Sequence, residues 1–310
     1  KRYALKERKS KVYIHKMGKP YKKGLSFLQF INTLPEFLAA KQIKEIASAI
    51  VNARKKDKIV VLAMGAHPIK VGLSPIIIDL MQKGIVTALA TNGAAIVHDF
   101  EIAYMGSTSE DVAEALKNGS FGMAAETAIN LNKAIKKGAD KEIGIGKAIG
   151  ELISTGKFPN AKISIFAEAY KLKLPATVHV CIGTDIIHMH PECDGEAIGK
   201  ATMIDFKIFC SIISKLQEGV FINLGSAAVM PEVFLKALSV VRNLGYKVDN
   251  ITTVTMDFQK HYRPTVNVVQ RPTISGGKGY YIIGHHEIMF PLLAAIVLEI
   301  KENLTFNKFQ

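Results

Sequence analysis

The chain alternates short continuous apolar runs with longer segments whose apolar residues recur every three or four positions. Residues 36–55 carry Phe37, Ile43, Ile46, Ala47 and Ile50 on one helical face. "KIVVLAMG" (58–65) is an apolar run closed by glycine, the pattern of a parallel strand buried on both faces. "LSPIIIDLMQKG" (73–84) follows, with Pro75 early and Gly84 last, the punctuation of a helix. "IVTALATNG" (85–93) predicts the next strand and "AAIVHDFEIAYMG" (94–106) the next helix.

Residues 109–174 read as helix-rich, interrupted by Gly119, Gly138, Gly156 and Pro159. Further strands are predicted over 176–183, 219–225, 250–258 and 279–284, and helices over 205–217, 231–244 and 287–302. This alternation predicts one α/β domain with a mostly parallel, doubly wound sheet and helices on both faces.

Composition agrees with that picture. Of 310 residues, 48% are hydrophobic, enough for a sizeable core. No apolar run reaches the ~18 residues of a membrane span, and no secretory signal pattern is visible. No membrane partner is therefore expected. Cys181, Cys193 and Cys210 are odd in number and lack the CxxC spacing of a metal site, so reduced thiols and a cytoplasmic location are expected.

The net charge of +13 is unevenly spread. Residues 1–24 hold ten Lys or Arg against Glu7, a charge of +9, leaving +4 for the rest. The chain thus divides into a basic arm (1–24) and an α/β domain (25–310). The arm is expected to be solvated, with RNA or an acidic partner as possible contacts.

In doubly wound sheets ligands bind beyond the carboxyl ends of the strands. His67 follows the first predicted strand and Asn92 ends the second, with His98, Asp99 and Glu101 on the helix beyond. Asp185, His188, His190, Glu192 and Asp194 follow 176–183; Ser226 follows 219–225; Asp257 closes 250–258; His285, His286 and Glu287 follow 279–284. Seven of the nine histidines, counting His261 three residues past 250–258, fall near such ends, which predicts a working cleft, whereas His179 inside a strand reads as a core residue.

"NLGSAAVMPEVFLKA" (223–237) would aim free backbone N–H groups at an anion such as a dinucleotide phosphate. Neither GxGxxG after the first strand nor GxxxxGK[ST] is present. Asp185, His188 and His190 in "GTDIIHMHPECDGEA" (183–197) could form a metal site, or the same acids and imidazoles could line a pocket for a cationic substrate. No HExxH or similar signature favours the metal.

Taken in order, "GVFINLGSAAVMPEVFLKALSVVRNLGYKVDNITTVTMDF", "RPTISGGKG" and "GYYIIGHHEIMFPLL" resemble the C-terminal part of the deoxyhypusine synthase family. "GLSPIIIDLMQKGIVTALATNGAAIVHDFEIA" and "LPATVHVCIGTD" resemble its earlier strands, so the likeness covers roughly residues 58–106 and 174–298. The family's lysine follows a tryptophan, and this chain has none.

The resemblance implies a deoxyhypusine synthase-like NAD-binding fold assembled as a homotetramer. It also implies NAD-dependent transfer of an aminobutyl group from spermidine, through a lysine imine, to a protein acceptor resembling the translation factor 5A precursor. By residue, it implies Lys278 as the lysine; His285 and His286, extra to the family pattern, are expected as its catalytic neighbours from their place after the last strand. Asn92, Gly93, Gly225, Ser226 and Asp257 would bind NAD. Asp185 would hold an ammonium group of the amine, and the strand-end pattern adds His188, His190, Asp194, His98, Asp99 and Glu101 to that site, the histidines being departures from the family pattern. Two other readings stand beside it: a metal-assisted enzyme using the histidine-rich cleft, with His188, His190 and Asp185 as ligands, and a non-catalytic protein that contacts RNA through its arm.

Overall fold

The structure, a computed structural model, describes residues 1–306. Six strands, β1 (Val60–Met64), β2 (Ala88–Asn92), β3 (Ala176–His179), β4 (Val220–Leu224), β5 (Thr252–Asp257) and β6 (Lys278–Ile283), form one sheet in the order β3-β2-β1-β4-β5-β6. Every neighbouring pair is parallel. The mostly parallel expectation becomes fully parallel among the described residues.

Strands β1 to β4 are apolar because they are covered on both faces. Val60, Leu62 and Met64 point into one core with Ile43, Ile46 and Ile50 of the helix Leu38–Lys55. Val61 and Ala63 point into the other, against the end of helix Gly195–Ile213 and helix Val229–Asn243. There Phe221 of β4 stacks on Phe234 at 3.8 Å between ring centroids, both fully buried. Burying one such ring stabilises the fold by roughly 2–3 kcal/mol.

The helix-rich segment covers the β3 edge. Helix Gly144–Thr155 lies so close to β3 that a Cβ on Gly146 would meet the Ala176 carbonyl oxygen at 2.1 Å. Asp205 fastens this packing, its Oδ2 accepting from the backbone N–H groups of Ile145, Gly146 and Val178 at 3.0, 3.0 and 2.9 Å.

The helix expected over 205–217 begins ten residues earlier, at Gly195, because the Asp194 carboxylate accepts from the Ala197 N–H and starts it. The strand expected over 176–183 ends at His179. In residues 1–24 most side chains are exposed, including Tyr3, Leu5 and Ile14. Backbone bonds from Lys19 N to Thr33 O and from Glu36 N to Lys16 O tie this segment to the body. The three cysteines are free, and among the described residues no helix is long and apolar enough to cross a membrane.

Candidate functional site

The chain order reverses between β1 and β4, so the loops after these two strands part and leave a crevice at the carboxyl edge. Two glycines form its floor. A Cβ on Gly65 would meet the Gly225 carbonyl oxygen at 2.7 Å, and a Cβ on Gly225 would meet His286 Nε2 at 2.9 Å. Gly225 also has φ +65, a conformation that side chains disfavour.

Asn92 and Gly93 lie beside this floor at the end of β2, Ser226 follows Gly225, and Asp257 closes β5. The five residues expected to hold a dinucleotide therefore lie along four adjacent strands, about 14 Å across at ~4.8 Å per strand. Ser226 Oγ accepts from the Met230 N–H and so caps helix Val229–Asn243. Asp257 is buried, with His261 Nε2 3.9 Å away.

His286 is buried at this edge, and burial keeps its imidazole below the ordinary histidine pKa. Its Nε2 donates to the Met256 carbonyl at 3.3 Å, and its Nδ1 has no partner. The ring packs against His67 at 5.3 Å and Phe258 at 5.9 Å between centroids. His286 thus takes up its expected place at the carboxyl edge, whereas its neighbour His285 is exposed, with only Glu287 at 3.9 Å.

Beyond β2 and β3 a cavity of 480 Å³ opens, lined by Lys70, His98, Glu101, Thr108, Glu110 and Asp185 among others. The Asp185 carboxylate rests on Gly93, where a Cβ would lie 2.0 Å from Oδ2. That oxygen is buried without a partner, and desolvation pushes the carboxyl pKa up to about 6. Nδ1 of His188 accepts from the Gly183 and Asp185 N–H groups at 3.1 and 3.2 Å, so the proton sits on Nε2, itself unpartnered and 4.0 Å from Asp185 Oδ2. A buried carboxylate oxygen without a donor is suited to receive a cationic group from a ligand.

Other expected residues lie elsewhere. Lys278 opens β6, paired with Thr252 at the amino end of the sheet. The strand alone puts roughly 16 Å, at ~3.3 Å per residue, between it and Ile283, two residues before His285. It borders a groove with Lys41, Lys44, Glu45 and Asn250 instead of the cleft. The flanking glycines serve packing: Gly277 is pressed on the Ile251 carbonyl, where a Cβ would lie at 2.4 Å.

Asp99 is fully buried, accepting from Ser164 Oγ at 2.5 Å and Ile165 N at 2.9 Å, and so holds the start of helix Ile165–Lys171 away from the cavity. Burial pushes its pKa up to about 6. Asp194 is a helix cap with Lys136 nearby. His190 donates through Nε2 to the Gly122 carbonyl at 2.7 Å. Among the described residues no three His, Cys, Asp or Glu side chains converge as a metal site needs, the set His188, His190 and Asp185 included. His179 is a core histidine as expected, its ring 5.1 Å from Phe209, with burial lowering its pKa to about 3.

Lys70 and Thr108 were not among the expected site residues. Lys70 stands one turn after β1 in "HPIK", a position the carboxyl-edge rule could have marked. Thr108 lies in a polar loop without local signal.

No protein-family model matches the chain, and no curated protein matches it in sequence. Solved structures do share its fold. The ternary complex of AgrE with ornithine and NAD+ superposes with a TM-score of 0.54 at 14% identity, covering 85% of this chain and 33% of that one. A conserved LOR/SDH-type protein from Methanococcus maripaludis S2 gives 0.50 at 16%, covering 84% and 70%. A protein from Entamoeba histolytica named as a candidate deoxyhypusine synthase gives 0.53 at 12%, covering 92% and 97%. The chain spans about a third of the length of AgrE and of the cyanobacterial arginine dihydrolase ArgZ. At these identities the likeness is one of fold.

Proposed function

We propose that this chain is an NAD-dependent enzyme that oxidises a cationic amine at the carboxyl edge of its sheet. The observation that carries the reading is the continuity of two features. A side-chain-free floor at the β1–β4 crevice leads directly, through Asn92 and Gly93, to the buried Asp185 carboxylate, whose Oδ2 has no donor. The floor suits a dinucleotide, because Gly65 and Gly225 allow close backbone approach. Asn92 Oδ1 and His286 Nδ1 are buried polar atoms awaiting partners along it. The fold shared with the NAD+ complex of AgrE supports the same assignment.

In this reading Asn92, Gly93, Gly225, Ser226 and Asp257 hold the cofactor, which supplies a hydride acceptor when bound. Asp185 pairs with the ammonium group of the substrate and becomes ionised as it does so. Glu101 adds negative charge to the same cavity, and Lys70 can meet an acidic group of the substrate. The His67, His286 and Phe258 rings pack together along the crevice, with burial keeping His286 below the ordinary histidine pKa.

Aminobutyl transfer of the deoxyhypusine synthase type is the finer form of this reading. It needs an amine nucleophile beside the cleft, and Lys278 of the same subunit lies on the other edge, so a partner copy would have to bring one. Oxidation needs no such partner and is preferred. The test is calorimetric titration with NAD+, followed by NADH formation from spermidine and from diamino acids. Absence of NAD+ binding at millimolar concentration would refute the proposal.

A further inference from the structure

The cavity holds a hydrogen-bonded chain that fixes one imidazole. Thr108 Oγ1 donates to Glu101 Oε2 at 2.5 Å, and Thr127 Oγ1 donates to Glu101 Oε1 at 3.1 Å. An ionised carboxylate can only accept, so the single Thr108 proton is committed to Glu101. Thr108 Oγ1 also lies 2.7 Å from His98 Nδ1. With its own proton spent, the hydroxyl accepts there, and Nδ1 must carry the hydrogen. The other ring nitrogen is then a lone pair, with no protein partner among the described hydrogen bonds, on a half-buried side chain that lines the cavity.

We propose that His98 is the proton acceptor of this cavity, its Nε2 presented to a bound ammonium group by a relay through Thr108 to Glu101. The assignment rests on the amine reading above and adds the group that prepares the substrate. An ammonium ion has no lone pair, so it must lose a proton before its carbon can give up a hydride. In the step, the N–H bond of R–NH3+ breaks, its electron pair stays on nitrogen, and the proton passes to Nε2, giving R–NH2 and an imidazolium. The new positive charge is stabilised through Thr108 by the Glu101 carboxylate. Thr108 and Glu101 are positioning residues.

The groups facing His98 are Lys70, Glu101, Glu110 and Asp185 across the cavity. Burial, then the Lys70 charge, hold the imidazole below its ordinary pKa against the pull of Glu101, so it is neutral and able to accept at physiological pH. A lone pair on Nε2 is the tautomer a base needs, and the relay selects it before substrate arrives.

The experiment combines imidazole nitrogen NMR of the cofactor-free protein with kinetics of NADH formation from spermidine and NAD+. The wild type is expected to show the Nδ1–H tautomer at His98, and Thr108→Val to shift the population toward Nε2–H. His98→Gln should lower the turnover rate at least about 100-fold and remove the acidic limb of the kcat profile at saturating spermidine, where Asp185 is already paired, while its NAD+ Kd stays within about twofold of wild type, showing a folded cofactor site. An Nε2–H tautomer in the wild type overturns the proposal, as does an acidic limb of kcat at saturating spermidine retained in His98→Gln. A wild type that binds no NAD+ overturns the function proposed above instead, and the imidazole spectra still decide His98.

Discussion

Replacing Asp185 by asparagine separates what this carboxylate does for stability from what it does for binding. The residue is 6% exposed, lacks a donor on Oδ2, and has a pKa raised from 3.8 to about 6 by desolvation. Two pKa units correspond to ~3 kcal/mol stored against ionisation. Because the folded pKa lies above the unfolded one, the folded state binds the extra proton between about pH 4 and pH 6. The empty protein therefore loses up to ~3 kcal/mol of stability as pH rises through that window and regains it on acidification.

The Asp185→Asn variant carries no such term and should be the more stable protein at about pH 8. Amine binding should run the other way. An ammonium group that restores the ordinary pKa recovers part of the ~3 kcal/mol, so the variant should bind spermidine about 10–100-fold more weakly at about pH 8. Near pH 5 the wild-type carboxyl is itself protonated, and the two affinities should converge. Calorimetric titration with spermidine in the presence of NAD+ at a series of pH values, beside thermal melts of the empty proteins, measures both. Equal affinities at about pH 8, or a ratio that does not change with pH, would refute the reasoning.

Gly225→Ala adds a Cβ at 2.9 Å from His286 Nε2 on a residue with φ +65; it should cost about 1–2 kcal/mol of stability and weaken NAD+ more than spermidine, read by denaturant melts and calorimetry. Asp205→Ala leaves three buried backbone N–H groups unpaired and should cost about 3–6 kcal/mol. Burial pushes Asp205 up to about 7, so wild-type stability should fall from about pH 4 to pH 7, a slope that Asp205→Asn removes while keeping an acceptor. Lys278→Ala should leave NAD+ and spermidine affinity unchanged; loss of turnover alone would mean that a second copy delivers this lysine, checked by mixing with Asp185→Asn for complementation.

The apolar runs of β1, β2 and β4 were legible because each strand is sandwiched between two cores, a constraint that writes itself into every position. The helix Leu38–Lys55 was legible from its single apolar stripe, and β5 and β6 were found within two residues. The expectation that ligand-binding chemistry gathers at strand ends also came from local pattern. It placed Asn92, Ser226, Asp257, Asp185, His188 and His286 at the carboxyl edge, and the family resemblance added Gly93 and Gly225.

What the pattern could not supply was direction and pairing. Lys278 and His285 are seven residues apart in sequence, yet β6 intervenes and carries them to opposite edges. Asp99 and Glu101 share one helix, but its rotation gives the first to a helix start sixty-five residues later and the second to the cavity. Asp194 was expected at the amine site, and its bond to the Ala197 N–H makes it a helix cap. The proton on His98 depends on Thr108, in a loop with no periodicity to mark it. Local sequence determined which segments form strands and helices, since burial on one or two faces is a local pattern. Tertiary structure decided which polar groups meet, since each meeting depends on strand order, helix rotation and hydrogen-bond partners distant in the chain.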